Sequence, residues 1–349
     1  MESNKISKDC IHCGLCTKNC DFLKEYKLDL AGFEERSDLA YNCFMCGKCK
    51  IVCPKDIDGR LIAKSMRDEK VAENNGKVPG KGYGGLVFEK KNYIFKNYKN
   101  VDSSMKNTAQ ANKDSDERNS TKTEISGKSV LFTGCNFLSY MPYTAERLIE
   151  EMNKKGIGVV FDCCGKPIYE LGLNKESEDI IKNLEKRLKD NNITELIMVC
   201  PNCYYYLRGK IDVRMVDIYT KIQELGIGKE LEGDILAFRP CPDREEEILL
   251  NKIKEANENL NIECVKEQCC GAGGCAPVKE PGIAQNMRKD VKSQVGNRHL
   301  STYCSTCFGF FRSEGIDVSH ILSDLLGVKE ENPGNSLMNR MKFKFYKNK

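Results

Sequence analysis

The sequence predicts an α/β protein in which one βαβ-type unit occurs twice, preceded by a small α-helical domain rich in cysteine. Three observations carry that prediction. Beyond residue 128, short apolar runs alternate with amphipathic segments of helical period, the pattern of strands joined by helices in parallel sheets. Five cysteines recur in order across the same region: Cys135 and Cys241, and likewise Cys163 and Cys269, lie 106 residues apart, and Cys200 and Cys304 lie 104 apart. An internal duplication explains such spacing economically. The third observation is a separate group of eight cysteines between Cys10 and Cys53.

The first domain, residues 1–72, contains two runs of one form: Cys10, Cys13, Cys16 and Cys20, then Cys43, Cys46, Cys49 and Cys53, the second followed by Pro54. The 22 residues between the runs read as helical. Residues 73–128 read as a linker. Within it, Gly82–Tyr98 carries enough aromatic residues to dock on a surface, whereas Asp102–Lys128 is polar and aperiodic and reads as flexible. The first repeat, 129–232, opens on a buried strand, "SVLFTGC", ending at Cys135, followed by an amphipathic helix, Pro142–Gly156, with Gly156 as its stop. "IGVVFDCCG" is a second strand, "KESEDIIKNLEKRLKDNN" a second helix, and "ELIMVCPNC" a third strand entering a helix. In the second repeat, 233–328, "DILAFRPC", "IECVKEQCCG" and "HLSTYCSTC" take the same places. The tail, 329–349, is basic and reads as a frayed, solvated end.

Hydrophobic residues make up 40% of the 349 and charged residues 30%, a globular composition with enough apolar mass for real cores. No apolar run approaches the ~18 residues of a membrane span, and the first residues, "MESNKISKDC", contain no secretory signal. The expectation is a cytoplasmic protein with no transmembrane segment of its own, peripheral at a membrane only through a partner. In that reducing location 20 cysteines cannot be a disulfide framework, so they point to metal or redox chemistry. The formal charge of +4 counts thiols as neutral, and metal-bound thiolates would make the protein more acidic, so no nucleic-acid partner is expected. No G-x-G-x-x-G segment opens a helix, so any flavin or nicotinamide must come from a partner.

Four cysteines spaced C-x2-C-x2-C-x3-C wrap one corner of a cubane with the first three, and the fourth reaches the neighbouring cluster. Cys10, Cys13, Cys16 and Cys53 are therefore expected on one [4Fe–4S] cluster, and Cys43, Cys46, Cys49 and Cys20 on the other. The alternative, structural zinc, needs two C-x2-C pairs and not a four-cysteine run repeated. Each repeat then offers a cysteine at a strand end, a vicinal pair and a C-x2-C. Five thiolates exceed what a cubane uses, and adjacent cysteines reach two irons only in a larger or more open cluster. Gly165 and Gly271 leave no Cβ where the backbone must approach the inorganic core. Cys200 and Cys203 lie where a strand enters a helix, with Pro201 suited to its first turn and the exposed N–H groups favouring anionic sulfur. Zinc at Cys200/Cys203 and Cys304/Cys307, or a thioredoxin-like pair, are the alternatives; neither explains the three further cysteines repeated in step. Cys264 is expected to be a small buried hydrophobe and Cys275 a bystander. His12, His299 and His320 are expected to hydrogen-bond and not to ligate.

The pattern Cys-x27-Cys-Cys-Gly-x34-Cys-x2-Cys, repeated with 32 residues in place of 34, resembles the CCG domain of the catalytic subunit of heterodisulfide reductase and of related iron–sulfur subunits of lactate, glycolate and glycerol-3-phosphate oxidising systems. The helical N-terminus resembles the ferredoxin domains of succinate dehydrogenase and heterodisulfide reductase, and the two together resemble the fused form of that reductase's catalytic chain. The resemblance implies a duplicated CCG domain behind an α-helical 2[4Fe–4S] ferredoxin domain. It implies two noncubane [4Fe–4S] clusters besides the two cubanes, one on Cys135, Cys163, Cys164, Cys200 and Cys203, the other on Cys241, Cys269, Cys270, Cys304 and Cys307. These ten are then catalytic as well as metal-binding, Gly165 and Gly271 are cofactor-binding, and a disulfide is cleaved between the two clusters. The first motif reads "TGC" where the family usually has "PGC". The implied activity is the passage of single electrons from ferredoxin-type to noncubane clusters and on to a small disulfide or thiol substrate. The implied donor is a ferredoxin, a flavoprotein or a cytochrome b subunit. The other reading is a non-catalytic electron-transfer subunit of a flavin dehydrogenase or a membrane-bound redox complex.

Overall fold

The computed structural model describes residues 5–102, 127–266, 269–331 and 334–348. Two sheets dominate it. The first has the order β1-β3-β2-β4-β5, with β1 Asn97–Asn100, β2 Lys128–Phe132, β3 Gly158–Phe161, β4 Ile193–Met198 and β5 Arg214–Asp217. The second has the order β7-β6-β8-β9, with β6 Gly233–Phe238, β7 Leu260–Cys264, β8 Leu300–Thr302 and β9 Val318–His320. Apart from β1, every pairing is parallel. Apart from β1, the second sheet repeats the first strand for strand, so the duplication seen in the cysteine spacing extends to topology.

Parallel strands are covered on both faces and so read as continuous apolar runs; all four residues of β3 are buried. The helix Pro142–Lys154 starts on a proline and turns Ala145, Leu148, Ile149 and Met152 fully inward. Each of its three larger side chains contributes about 1.5–3 kcal/mol by leaving water. Its core includes Leu131 and Phe161 of the first sheet and runs without a break into Phe238 and Leu300 of the second. In each repeat the first strand stands inside the sheet, the second pairs on one side of it and the third on the other. The crevice at the carboxyl ends of such strands is where open α/β sheets bind ligands. Cys135, Cys163, Cys200, Cys241, Cys269 and Cys304 all follow strand ends.

The N-terminal domain is helical, with short helices Leu15–Lys18, Asp21–Glu25, Leu30–Glu34 and Lys48–Ile51 before a longer one, Gly59–Glu73. The long helix is capped by the Asp58 side chain, which accepts from Arg60 N. Phe22, Phe33, Phe44 and Met66 form a core that continues into Ile168 and Leu171 of the first repeat and Ile283 and Met287 of the second. The domain is thus wedged against both repeats.

Two segments behave differently from their sequence reading. Part of the stretch read as linker folds: Gly84–Lys91 is a helix, and β1 pairs antiparallel with β3 at the edge of the first sheet. The stretch read as flexible falls mainly on 103–126, outside the described residues. The tail is not frayed. Ser336–Lys344 is a helix packed on the helix Cys135–Tyr140, and Phe343 is fully buried against Phe161. In "KFKFYK" Phe343 is buried and Tyr346 packs on the same core while Phe345 is exposed, so the basic composition conceals an anchoring contact.

His320, at the end of β9, is buried and accepts from Leu322 N through Nδ1 at 3.1 Å. Burial lowers its imidazole to about 3. The unfolded chain would bind the proton near pH 6.5, so the stability that comes from a neutral His320 is complete above that pH. It is lost as pH falls toward 3, by about 1.4 kcal/mol per unit. Urea unfolding at pH 7, 6 and 5 should therefore show a shallower acid decline for His320→Gln than for the parent; parallel declines would assign the acid sensitivity elsewhere. His299 lies at the surface, bonded to Asp317 and Ser319.

Candidate metal centres

The two N-terminal runs share one backbone. His12 and Met45 have φ of 52° and 49°, and Gly14 and Gly47 have φ of 71° and 73°. These left-handed residues fold the chain back so that His12 N donates to Cys10 Sγ at 3.5 Å and Met45 N to Cys43 Sγ at 3.4 Å. Cys10, Cys13, Cys16 and Cys53 surround one small cavity with Leu30 and Ile57. Cys20 lies among the charges of Cys43, Cys46 and Cys49. The fourth cysteine of each run is thus placed with the other run's three. His12 holds Asp29 at 2.7 Å through Nδ1. Cys10, His12 and Asp29 offer ligand atoms within 4.8 Å of one another.

In the first repeat all five cysteines are buried and joined side by side. Hydrogen bonds link Cys135 to Cys163, Cys163 to Cys164, Cys164 to Cys203 and Cys203 to Cys200. Hydrogen bonds from Cys163 and Cys203 lower the Cys164 thiol to about 5. Asp162 fixes the turn into the vicinal pair: its carboxylate accepts from Cys163 N at 2.8 Å, Tyr98 OH at 2.7 Å and Arg187 Nε at 2.9 Å.

The second repeat differs. Cys270 and Cys304 hydrogen-bond Cys307, which lowers Cys304 to about 7, and burial pushes Cys241 up to about 12. Cys269 instead hydrogen-bonds Cys46 of the helical domain, and that bond lowers the Cys46 thiol to about 5. Arg244 closes the junction by donating to the Cys46 carbonyl. The two repeats also meet directly, with Asn136 Nδ2 donating to Thr306 Oγ1 at 2.7 Å.

Gly165 and Gly271 have a structural reason to be glycine that the sequence did not suggest. Both have positive φ, and a Cβ there would meet Ile180 Cγ2 at 3.0 Å and the Ala284 carbonyl oxygen at 2.5 Å, both in the helices that follow. They serve the turn and helix packing. Gly134 does face sulfur, since a Cβ there would stand 3.0 Å from Cys203 Sγ, and in the helical domain a Cβ at Gly59 would stand 2.7 Å from Cys49 Sγ.

Three residues at the candidate sites escaped the sequence reading. Arg67 is fully buried and donates to the carbonyls of Ala40, Cys43, Glu170 and Gly274, joining the helical domain to both repeats. Lys166, directly after Gly165, bonds Asn202 at 2.5 Å and Glu170 at 3.1 Å, and its charge acts on both Cys241 and Cys164. Its signal was the lysine after "CCG", replaced by Ala272 in the second repeat. Asp243, two residues after Cys241, accepts from Leu249 N and Leu250 N at 2.9 Å and from Tyr303 OH at 2.6 Å. Beside Cys241 opens a cavity of about 390 Å³, lined among others by Lys64, Lys166, Lys210 and Tyr169. Of the leftover cysteines, Cys264 is half-buried at the end of β7. Cys275 packs beside the helical domain's core, its thiol pushed up to about 12 by burial.

Gathered soft sulfur donors, with no disulfide among the described residues, suit iron–sulfur clusters. Comparison with known families agrees. The cysteine-rich CCG domain matches residues 129–208 and 235–312, and a 4Fe-4S dicluster domain matches residues 9–58. The chain carries two copies of the CCG cysteine-rich domain. This CCG protein is 26% identical over 297 residues to an uncharacterised iron–sulfur protein of Methanococcus maripaludis, covering 76% of this chain and 56% of that one. It is 24% identical to an uncharacterised iron–sulfur protein of Methanocaldococcus jannaschii, over 95% of this chain and 71% of that one. It is also 24% identical to one of the subunits of the fumarate reductase (CoM/CoB) of Methanothermobacter marburgensis, over 88% of this chain and 67% of that one. The CCG chain thus spans little more than half the length of the first of these relatives. A glutamate racemase of Bacillus anthracis overlays with a TM-score of 0.34 at 11% identity, covering 57% of this chain and 78% of that one. The CCG protein thus carries iron–sulfur domains and is similar in sequence to the fumarate reductase (CoM/CoB) component. No described helix is long and apolar enough to cross a membrane.

Proposed function

We propose that this chain carries single electrons from two cubane clusters in its ferredoxin domain to two noncubane clusters in its CCG domains, and from there to a disulfide-type substrate. The substrate reaction is R–S–S–R′ + 2e⁻ + 2H⁺ → RSH + R′SH. The observation that supports it most is the hydrogen bond between Cys46 and Cys269, which makes the ferredoxin and CCG cysteine sets adjacent. When bound, the clusters supply storage and release of one electron at a time at sulfur-ligated iron. The residues supply the rest. Cys10, Cys13, Cys16 and Cys53, and Cys20, Cys43, Cys46 and Cys49, hold the cubanes, and the ten CCG cysteines hold the noncubane pair. Lys64, Lys166 and Lys210 line the cavity that reaches Cys241 together with the carboxylates of Asp58, Glu170, Glu245 and Glu246, so a polar substrate there meets both signs of charge. The electrons come from a partner: a ferredoxin, a flavoprotein or a cytochrome b subunit.

A second reading, a relay that binds no substrate, is favoured by the Methanothermobacter relative being named a component of a fumarate reductase. The two part on one experiment, EPR of the oxidised, cluster-loaded protein with and without added thiols. An enzyme's CCG signals should change while its cubane signals stay fixed, and Cys163→Ser and Cys269→Ser should each remove part of that response. If thiols leave the parent spectra untouched while the same variants slow electron passage, the chain is a relay.

A further inference from the structure

The segment 84–101 lies outside the residues matched by either family, yet it covers the first CCG site. Tyr93 and Phe95 form one buried cluster with Cys135 and Cys163, flanked by Ile94 and by Met341 of the tail helix. The Tyr93 hydroxyl is buried and has no hydrogen-bond partner among the described residues. The Lys90 side chain is 5% exposed and hydrogen-bonds Cys135. Its ammonium stands 2.7 Å from Glu89, whose other oxygen is held by Arg340 at 2.9 Å. Arg340 in turn donates to Ser139 Oγ, and Ser139 Oγ to the Cys135 carbonyl.

Charge balance completes the picture. Among the described residues around Cys135 and Cys163, the cations are Lys90, Arg340 and Arg187, and the carboxylates are Glu89 and Asp162. One positive charge is left over in a buried place, where it is strongly disfavoured unless an anion faces it. The sulfur set is that anion. At the second CCG site Cys241 instead lines an open cavity.

We propose that residues 84–101 form a strap that seals the first CCG centre and directs two hydrogen-bond donors, Lys90 and Tyr93, at its sulfur, raising its reduction potential. This rests on the reading that the first motif holds a cluster. Donors and positive charge beside cluster sulfur stabilise the reduced, more negative state, so removing them lowers the potential. Lys90 and Tyr93 are positioning residues, not ligands.

The test is an EPR-monitored redox titration of loaded parent, Lys90→Met, Lys90→Arg and Tyr93→Phe proteins, each with its iron counted. One noncubane centre should titrate at lower potential in Lys90→Met and, by less, in Tyr93→Phe. Lys90→Arg should restore most of the difference, and the other three centres should keep their midpoints. Full iron with unmoved midpoints in both Lys90→Met and Tyr93→Phe overturns the strap's role and leaves the cluster reading standing. A parent protein without iron at the first motif overturns the cluster reading itself. Should Lys90→Met lose its cluster, Tyr93→Phe, which deletes one oxygen, decides: a midpoint equal to the parent's rejects the proposal.

Discussion

Replacing Arg67 by methionine is expected to cost on the order of 4 kcal/mol of stability and to open the junction between the ferredoxin domain and the repeats. The guanidinium serves four buried carbonyls, two in the helical domain and one in each repeat, at 2.8–2.9 Å. Each carbonyl left unpaired costs about 1–3 kcal/mol, part of it recovered by relaxation. The residue also lies over the Tyr41 ring at 5.0 Å, a contact methionine keeps only as packing. Thermal unfolding of the loaded protein should show a loss of about 5–10 °C. Because Arg67 holds the Cys43 carbonyl and the Gly274 loop together, reduction of the CCG centres by an external donor should slow while the cubanes still reduce. Arg67→Lys should recover less than half of the loss, since an ammonium cannot present the planar fork. A variant as stable as the parent, with unchanged electron passage, would remove Arg67 from the junction.

Cys20→Ser and Cys53→Ser should have opposite reach, although each removes one sulfur from one run. Cys20 sits with Cys43, Cys46 and Cys49, and Cys46 bonds Cys269. Cys20→Ser therefore depletes the cubane nearest the CCG domains, about four irons, and should abolish reduction of the CCG centres by a ferredoxin-domain donor. Cys53 lies with Cys10, Cys13 and Cys16 at the outer site. Cys53→Ser should lose the same amount of iron yet leave the inner cubane reducible by a strong chemical reductant, with CCG reduction intact. Iron analysis and EPR of the two variants check this. If Cys20→Ser spares the signal that Cys46→Ser removes, the exchange of fourth ligands is wrong.

Much of this was legible because ligand chemistry writes itself into spacing. Cys135, Cys163 and Cys200 must follow strand ends at the crevice of a parallel sheet, so their intervals to Cys241, Cys269 and Cys304 record the duplication directly. Strand and helix positions followed from periodicity, since β2, β3 and β4 are buried runs and the helix Pro142–Lys154 is strongly one-sided. What stayed hidden depends on contacts between residues far apart in the chain. Arg67 looks like a surface charge on an amphipathic helix, and only Glu170 and Gly274, more than 100 residues away, give it a buried role. Lys90 and Tyr93 sit in a segment whose aromatics announced docking without a surface to dock on. The turn toward Cys46 that separates Cys269 from its own motif leaves no mark in spacing at all.

The short strand β1 has one more effect. It occupies the edge of the first sheet beside β3, and the tail lies across it, with Asn97 donating to the Phe343 and Tyr346 carbonyls and Asn348 N donating to Asn100. In the second sheet the equivalent edge is β7, whose exposed Asn261 and Glu263 are engaged by Asp234 and Arg298. The opposite edges, β5 and β9, are only four and three residues long. None of these edges offers a long apolar template for strand addition. A chain with 20 cysteines is thereby kept from the in-register stacking that would bring the thiols of neighbouring copies together.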